Sequence, residues 1–261
     1  MSILKAEGII LRSMKFRETS KVLTLFTREH GVVKVNAKGS RSSKSRLGAT
    51  LEPLNVVHIV YYHKDSRDFQ ILSAADLIET FPSLPTDLEK WAYACACGEL
   101  VLRAHPAAAA TPKLYPILHD TLRVMNAMPS GQDVRCCFWG LQMKLLGIFG
   151  VAPNLRRCSS CEKPLNPEIS PTVQFYVARG GFFCGTCDAG AGAMELSAEA
   201  VAWLANFQTL PAAKLSQIIV SIPAVSEIEK FYRAYFGFHL EEIGKLQALK
   251  FVRDLRQKIS A

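Results

Sequence analysis

Short apolar runs, rich in β-branched residues and separated by turn signals, fill residues 1–80 of the chain, which is typical of β-strands. Runs rich in β-branched residues predict five strands, at about residues 6–13, 21–28, 31–37, 54–62 and 68–75. The turn Glu29-His30-Gly31 suits a hairpin between the second and third strands. Because closure removes the unpaired edges of a sheet, the pattern favours a small closed barrel. We expect an OB-type barrel. An SH3-like barrel stays open, since the number of strands does not separate the two.

After Phe81-Pro82 the apolar positions take a helical period. Helices are expected to begin at capping residues, namely Thr86 (in a capping box with Glu89), Thr111, Ser197 and Ser226. A further helix is predicted from about Asp133 to Gly147–Gly150, and two closing helices are predicted to meet around Gly244. The fold class is therefore predicted as α+β. A barrel domain covers residues 1–80, and an α-helical domain covers residues 81–261 with a cysteine-rich insert at about 154–190.

The insert contains two C-x-x-C pairs, Cys158/Cys161 and Cys184/Cys187, separated by twenty-two residues. Such pairs place four thiolates tetrahedrally around Zn²⁺ at about 2.3 Å. Gly180-Gly181 is predicted to turn a hairpin that brings the second pair beside the first. Four cysteine ligands leave no open coordination position, so we expect one structural zinc ion per chain. An iron–sulfur cluster, a redox dithiol pair and coincidental spacing are the alternatives.

Four other cysteines, Cys95, Cys97, Cys136 and Cys137, lack this spacing and lie in apolar helical context, so they are expected to be buried. The opening MSILKAEGIILRS lacks the apolar stretch of a signal peptide, and no apolar run reaches the length of a membrane span. These features predict a cytoplasmic protein with no membrane partner, in which cysteines are thiols or metal ligands instead of disulfides.

Positive charge is concentrated at one end of the chain. The formal net charge is +8, and residues 1–50 hold eleven Lys or Arg residues against three acids, so they carry the whole excess. Such asymmetry indicates a polyanionic partner, most often nucleic acid. A solvated basic face is the alternative. The candidate nucleic-acid-binding residues are Arg12, Lys15, Arg17, Lys34, Lys38, Arg41, Lys44 and Arg46.

The stretch AKGSRSSKSRLG at residues 37–48 half-resembles a phosphate-binding loop, with Gly39 five residues before Lys44. A true loop needs glycine directly before the lysine, a strand before it and a helix after it. Here Ser43 precedes Lys44, and the stretch is expected to join two barrel strands. The prediction is therefore a loop that contacts nucleic-acid phosphates. No triad, zinc-protease or paired-carboxylate motif is present in the sequence, so we predict no enzyme and no catalytic residues.

The run EGIILRSMKFRETSKVLTLFTREHGVVKVNAKGSRSSKSRLGATLEP resembles the N-terminal barrel of the bacterial recombination mediator RecO family. The matching positions are Gly8, Leu11, Phe16, Glu18, Ser20, Phe26, Thr27, Gly31, Gly39, Arg41, Lys44 and Ser45. The layout of barrel, helical domain, four-cysteine insert and closing helices is similar to that family too. One departure is Leu246-Gln247-Ala248, where many relatives carry Leu-Lys-Ser.

The resemblance implies a non-enzymatic DNA repair and homologous recombination mediator. Such a protein binds single- and double-stranded DNA, anneals complementary strands, and acts with RecR, and with RecF, to load RecA. It also binds the C-terminal tail of single-strand-binding protein, for which the candidate residues here are Lys245, Lys250 and Arg253. The location implied is the bacterial cytoplasm, associated with the nucleoid.

Two questions stay open at this point. Three aromatic residues of the barrel either stack on bases or fill its core, namely Phe16, Tyr61 and Tyr62. Two other functional classes also stay open. One is an RNA-binding transcription or translation factor with a zinc ribbon, and the other is a nuclease or NTPase.

Overall fold

The computed structural model describes residues 1–42, 45, 47–104, 111–166, 171–184, 186–187, 192–240, 246–251 and 254. The chain forms two compact units, residues 1–134 with 246–261, and residues 135–245. Within the described part of the chain, no helix has both the length and the apolar character needed to cross a membrane.

The first unit contains a closed five-stranded barrel in the order β1-β2-β3-β5-β4, which is the connectivity of an OB-type barrel. The five predicted strands are confirmed as β1 (Ser2–Phe16), β2 (Ser20–Thr27), β3 (Gly31–Ala37), β4 (Val56–His63) and β5 (Gln70–Glu79). The predicted hairpin joins β2 to β3, and Gly31 enters β3 with φ of 66°, a conformation that glycine adopts without strain.

Strand β1 is longer than predicted because it pairs with two neighbouring strands. Its first half pairs with β4 and its second half with β2, and a register shift between Ile10 and Arg12 marks the bend. Alternate side chains point into the barrel and are buried together, including Leu23, Leu25 and Ile59. Because every second side chain points inward, the sheet can enclose an apolar interior and keep polar side chains on its outer face.

Two helices, α1 (Leu88–Ala104) and α2 (Thr111–Ala127), complete the described core of the first unit. The predicted cap of α1 is wrong by one residue. The carboxylate of Asp87, not the hydroxyl of Thr86, accepts hydrogen bonds from the backbone N–H groups of Glu89 and Lys90, at 3.0 and 3.1 Å. The hydroxyl of Thr86 instead donates to the carbonyl oxygen of Ser83.

The second unit combines helices with a small sheet of order β7-β6-β8. Its elements are α3 (Arg135–Ile148), β6 (Thr172–Tyr176), β7 (Gly181–Phe183), β8 (Met194–Ser197), α4 (Ala198–Thr209), α5 (Ala212–Leu215) and α6 (Ile222–His239). The Ser197 cap of α4 is confirmed, since its hydroxyl accepts from the N–H of Ala200 at 3.1 Å. The Ser226 cap is wrong. Helix α6 begins one turn earlier, where Ser221 accepts from Ala224 and Pro223 stands in the first turn.

Candidate functional site

Two of the residues predicted to bind nucleic acid, Arg12 and Lys34, lie in one row across the outer face of the barrel. Arg12 of β1 is directly opposite Thr24 of β2, and Thr24 is directly opposite Lys34 of β3. Residues opposite one another on neighbouring strands present their side chains on the same face. Both Arg12 and Lys34 are exposed, so the row presents two cations to solvent on the β1-β2-β3 surface. OB-type barrels bind oligonucleotides on the face of strands 2 and 3 and on the loops beside it, so the row crosses that face.

The β1–β2 turn extends this face beyond the end of the strands. Arg17 has φ of 53°, and its guanidinium lies 5.3 Å from the centre of the Phe16 ring. Arg41 links the turn to the segment after β3. Its side chain donates to the carbonyl oxygens of Arg17 and Glu18 at 3.2 and 2.9 Å, and its backbone N–H donates to Thr19.

Sequence reasoning missed this second role of Arg41, because it joins residues more than twenty positions apart. A guanidinium has five N–H donors, so Arg41 can brace the turn and still donate to a phosphate. Lys38 follows the end of β3 and is exposed. Lys44 and Arg46 lie outside the described residues.

Lys15 and Lys21 lie opposite each other near the ends of β1 and β2. Lys21 is largely covered and binds the carboxylate of Glu52 at 2.9 Å and the carbonyl oxygen of Gly48 at 3.2 Å. Lys15 is exposed. Lys15 is an odd number of positions from Arg12 and Phe16 along β1, so its side chain starts from the opposite side of the sheet. It is thus brought near the barrel end, but not into the row.

The three aromatic candidates have different positions. Tyr61 is 1% exposed and belongs to the barrel core, so of the two alternatives for this residue the structure shows core packing. Tyr62 is half-buried. Phe16 is 39% exposed at the β1–β2 turn, where a flat apolar ring is open to a partner. Burial of Tyr61, together with the charge of Glu29, raises the pKa of its phenol, so it stays neutral.

A second candidate site is the four-cysteine cluster of the second unit. The sulfur atoms of Cys158, Cys161, Cys184 and Cys187 all lie within 4.8 Å of one another. Ligands at 2.3 Å from one tetrahedral ion stand about 3.8 Å apart. The distance between the Cys161 and Cys184 sulfur atoms is 3.7 Å, so the four residues fit a single metal ion.

Local backbone geometry brings the two cysteine pairs together. As predicted, strands β6 and β7 form an antiparallel hairpin, with Tyr176 opposite Gly181 and Gly180 at φ of 60°. The backbone N–H of Cys184, directly after β7, donates to the Cys158 sulfur at 3.3 Å. Glu162 also takes a positive φ of 58°, which turns the chain back after the first pair.

The surroundings favour thiolates at two of the four cysteines, Cys158 and Cys184. At Cys161 the Lys163 N–H acts to lower the pKa, but desolvation and hydrogen bonds with the other three cysteines outweigh it and raise the pKa to about 11. The Thr186 hydroxyl and backbone N–H lower the pKa of Cys184 to about 6. Burial acts to raise the pKa of Cys158, but N–H groups of Cys161, Cys184 and Ser160 outweigh it and hold this pKa below its ordinary value. Because a thiolate and not a thiol binds metal, these donors prepare the cluster for a cation.

The four remaining cysteines belong to no cluster of potential metal ligands within the described residues. Cys97, Cys136 and Cys137 are buried, as predicted. Cys95 is only half-buried, so the prediction is wrong for it. Its burial, with a contribution from the charge of Glu99, raises the pKa of the Cys95 thiol to about 11. The Cys95 thiol therefore stays protonated.

Of the residues predicted to contact a partner's tail, only Lys250 lies in the described part of the chain, where it is exposed. Lys245 and Arg253 lie outside it. Leu246 is buried, and the backbone N–H groups of Gln247 and Ala248 bind the carboxylate of Glu99 on α1. The short helix around Lys250 is thus attached to the first unit, a contact that no local sequence signal indicates.

Comparison with known proteins covers nearly the whole chain. The family model "Recombination protein O N terminal" matches residues 1–81, and "Recombination protein O C terminal" matches residues 85–248. A DNA repair protein RecO from Exiguobacterium sp. is 34% identical over 180 residues, which are 69% of this chain and 68% of that protein.

Two relatives align over greater lengths. The DNA repair protein RecO of Bacillus pumilus is 29% identical over 92% of this chain and 91% of its own length. That of Bacillus subtilis is 27% identical over 96% of each chain. Taken with the OB-type barrel, the helical elements and the four-cysteine cluster, these matches show that the chain belongs to the family of the DNA repair protein RecO.

Proposed function

We propose that this protein is a non-enzymatic mediator of DNA repair and homologous recombination, and that its barrel binds single- and double-stranded DNA through the phosphate backbone. The observation that carries the proposal is the exposed row of Arg12 and Lys34 across β1-β2-β3. Arg17, Lys38 and the braced Arg41 continue the same cationic surface at the β1–β2 turn. We call this set of five residues the cationic face.

Contacts of this kind are sequence-independent, because a phosphate has the same charge beside every base. Binding releases condensed counterions, so its affinity falls steeply as salt rises. Annealing of complementary strands requires that the repulsion between two phosphate backbones be reduced. A cationic face that holds one strand lowers this repulsion for the second. The proposed activities therefore need bound DNA and no catalytic group.

The proposed metal is one structural Zn²⁺ ion held by Cys158, Cys161, Cys184 and Cys187. Four thiolate ligands satisfy zinc completely and leave no position for substrate or water. When bound, the ion joins the loop after residue 157 to the end of β7. The protein's own contribution is the pair of turns at Glu162 and Gly180 and the donors that hold thiolates in place.

The proposed partners follow from the family. They are RecR and RecF, with RecA loaded indirectly, and the C-terminal tail of single-strand-binding protein, which is assigned to the helical part of the chain beside Lys250. The proposed domain boundary is residue 80, with the helical domain over 81–261, and the proposed location is the bacterial cytoplasm.

A tail peptide with its natural carboxylate should bind the full chain, and blocking that carboxylate should weaken binding. Equal binding by an isolated fragment of residues 1–80 would assign the tail to the barrel instead.

Binding of single strands, duplex and RNA across a salt series tests the main proposal. We expect both DNA forms to bind with a strong salt dependence, and complementary strands to anneal faster in the presence of the protein. RNA that displaces DNA at equal concentration would favour an RNA-binding transcription or translation factor. Metal-dependent cleavage or nucleotide hydrolysis would favour a nuclease or NTPase.

A further inference from the structure

The barrel has an opening beside the cationic face. Strands β3 and β5 pair only at Val35–Gln70 and Asn36–Ile71, so the first half of β3 diverges from β5. A cavity of about 350 Å³ lies there. It is bounded by β3, the end of β4 and the segment 64–69, which joins β4 to β5 and is called here the β4–β5 loop. The volume is within the range of small-ligand pockets.

The cavity is lined by aromatic rings. Tyr61 lies at its base, and the imidazole rings of His30 and His63 stand at 81° and 83° to the phenol plane, with centroids 6.3 and 6.4 Å from it. The Tyr61 hydroxyl has no hydrogen-bond partner among the described residues. A neutral phenol in this position can donate to or accept from a ligand, and the imidazoles offer flat faces to a planar group.

The β4–β5 loop is held in place before any ligand arrives. The Gln70 side chain is buried and makes three hydrogen bonds to the loop backbone. It accepts from the N–H of Lys64 at 2.8 Å and donates to the carbonyl oxygens of Lys64 and Arg67 at 3.3 and 2.9 Å. Phe69, the residue directly before Gln70, is 46% exposed. An exposed aromatic ring on a fixed loop is suited to stacking, since little conformational freedom is lost on binding.

We propose that this cavity receives a single unpaired nucleobase of a DNA strand held on the cationic face, with Phe69 stacking on a neighbouring base. The proposal rests on the DNA binding proposed above and adds the single-strand-specific part of that site. Lys34 belongs to both the cationic row and the cavity rim, so one lysine can bind the phosphate that follows the inserted base. Asp68, also at the rim, offers an acceptor to an exocyclic amino group.

A paired base cannot enter such a cavity without leaving its duplex, because its hydrogen-bonding edge and both stacking faces are already used. The cationic face by itself does not distinguish single strands from duplex. The cavity therefore supplies a preference for single strands that phosphate contacts do not.

The test compares the full-length double variant His63→Ala/Phe69→Ala with wild type. The two side chains are 36% and 46% exposed, so their removal leaves the barrel core in place. We expect affinity for a mixed-sequence single strand to fall roughly tenfold or more, as for the loss of one stacked base, and duplex affinity to change by less than about twofold. A strand of the same length without bases should bind wild type and variant equally. Phe238→Ala, which removes a 55% exposed phenylalanine from α6, is the matched control.

Each outcome separates the cavity from the cationic face. Unchanged single-strand affinity in the double variant, with wild type binding DNA normally, overturns the cavity proposal and leaves the proposed function standing. Equal losses for single strands and duplex also overturn it, since they indicate that the two side chains contribute to the binding of both DNA forms alike. Wild type that binds neither form overturns both. Tyr61→Phe, which keeps the core ring and removes only the hydroxyl, should weaken single-strand binding by a smaller factor without altering thermal stability.

Discussion

The carboxylate of Glu99, in the last turns of α1, accepts hydrogen bonds from the backbone N–H of Gln247 at 3.0 Å and from that of Ala248 at 3.1 Å. The same carboxylate forms an ion pair with Arg103 at 2.8 Å. The first N–H groups of a helix have no partner within it, so Glu99 caps the helix around residues 247–251 from 148 positions away in the chain. Beside it, Leu246 buries its side chain.

Removal of this cap should release the helix. Glu99→Ala is expected to destabilise the attachment of residues 246–251 by about 1 kcal/mol, the usual value of an N-cap, because two N–H groups lose their acceptor. Hydrogen exchange at Gln247 and Ala248 should become faster, while the barrel amides keep their protection. Glu229→Ala, an exposed glutamate of α6, is the control and should leave these amides unchanged. Equal exchange in Glu99→Ala and wild type would show that Leu246 alone holds the segment.

The cysteine cluster should bind one zinc ion per chain. Cys184→Ser is expected to lower the zinc content and to reduce the stability of the β6–β7 hairpin, because metal binding and local folding are coupled. Elemental analysis of protein purified without chelator measures the first effect, and thermal unfolding measures the second. Cys95→Ser, a half-buried thiol outside the cluster, is expected to retain full zinc content. Iron in place of zinc would indicate the iron–sulfur alternative.

Each cation of the proposed DNA surface should contribute separately to the salt dependence. Lys34→Ala or Arg12→Ala is expected to reduce the magnitude of the slope of log K against log salt by roughly 0.7 on single strands, because one phosphate is no longer neutralised. The loss should be similar for unrelated sequences. Lys230→Ala, an exposed lysine of α6, is the control. Slopes that do not change would place the phosphate contacts on another surface.

Arg41→Ala is expected to behave differently from the other cation variants. It removes the side-chain donors to the Arg17 and Glu18 carbonyl oxygens, so the β1–β2 turn should exchange its amide hydrogens faster as well as lose DNA affinity. Arg41→Lys keeps the charge and loses the forked geometry, so it should restore more of the salt slope than of the amide protection. A phosphate-binding loop would respond otherwise, since Lys44→Ala would then abolish nucleotide binding and spare DNA binding.

Asp87 should make the stability of the first unit depend on acid pH. Hydrogen bonds from Gly131 and Lys90, with others from Ser130 and Glu89, lower its pKa from 3.8 to about 2. A lowered carboxylate pKa means that the ionised form is favoured in the folded state. Its stabilising effect is therefore complete above about pH 4 and is lost as the pH falls towards 2.

Asp87→Ala should remove this part of the pH dependence and cost about 1 kcal/mol near neutral pH. Urea unfolding at a series of pH values measures both effects. Asp120→Ala, an exposed aspartate of α2, is the control and should keep the wild-type profile. A profile that is unchanged between pH 4 and 2 in Asp87→Ala would assign the acid sensitivity to other carboxylates.

Local sequence patterns were sufficient for features that depend on nearby residues. Runs rich in β-branched residues, joined at the turn Glu29-His30-Gly31, predicted the β2–β3 hairpin, which needs only eighteen consecutive residues. The four cysteines were found from spacing alone, because two C-x-x-C pairs are restricted in what they can bind. Concentration of charge in residues 1–50 likewise indicated the barrel as the basic part of the chain.

Helix starts were harder to predict from the sequence, since several residues in one turn can serve as a cap. Thr86 and Asp87 both carry a side-chain acceptor, and Asp87 caps α1 because Ser130 and Gly131 bind its second oxygen. Ser221 and Ser226 are both suitable caps for α6. In the structure Ser221 is the cap, so the helix gains one turn before the buried residues Ile228 and Phe231.

The strands, the cysteine pairs and the position of the charge could be predicted, because each depends on residues that are close in the chain. Four other features depend on how distant parts of the chain come together. These are which cations face the same way, the place of Tyr61 in the core, the bracing of a turn by Arg41, and the capping of the helix around residues 247–251 by Glu99. The contacts of Arg41 and Glu99 join residues 23 and 148 positions apart. All of these features are set by strand register or by how the helices pack on the barrel, and neither leaves a periodic signal in the sequence.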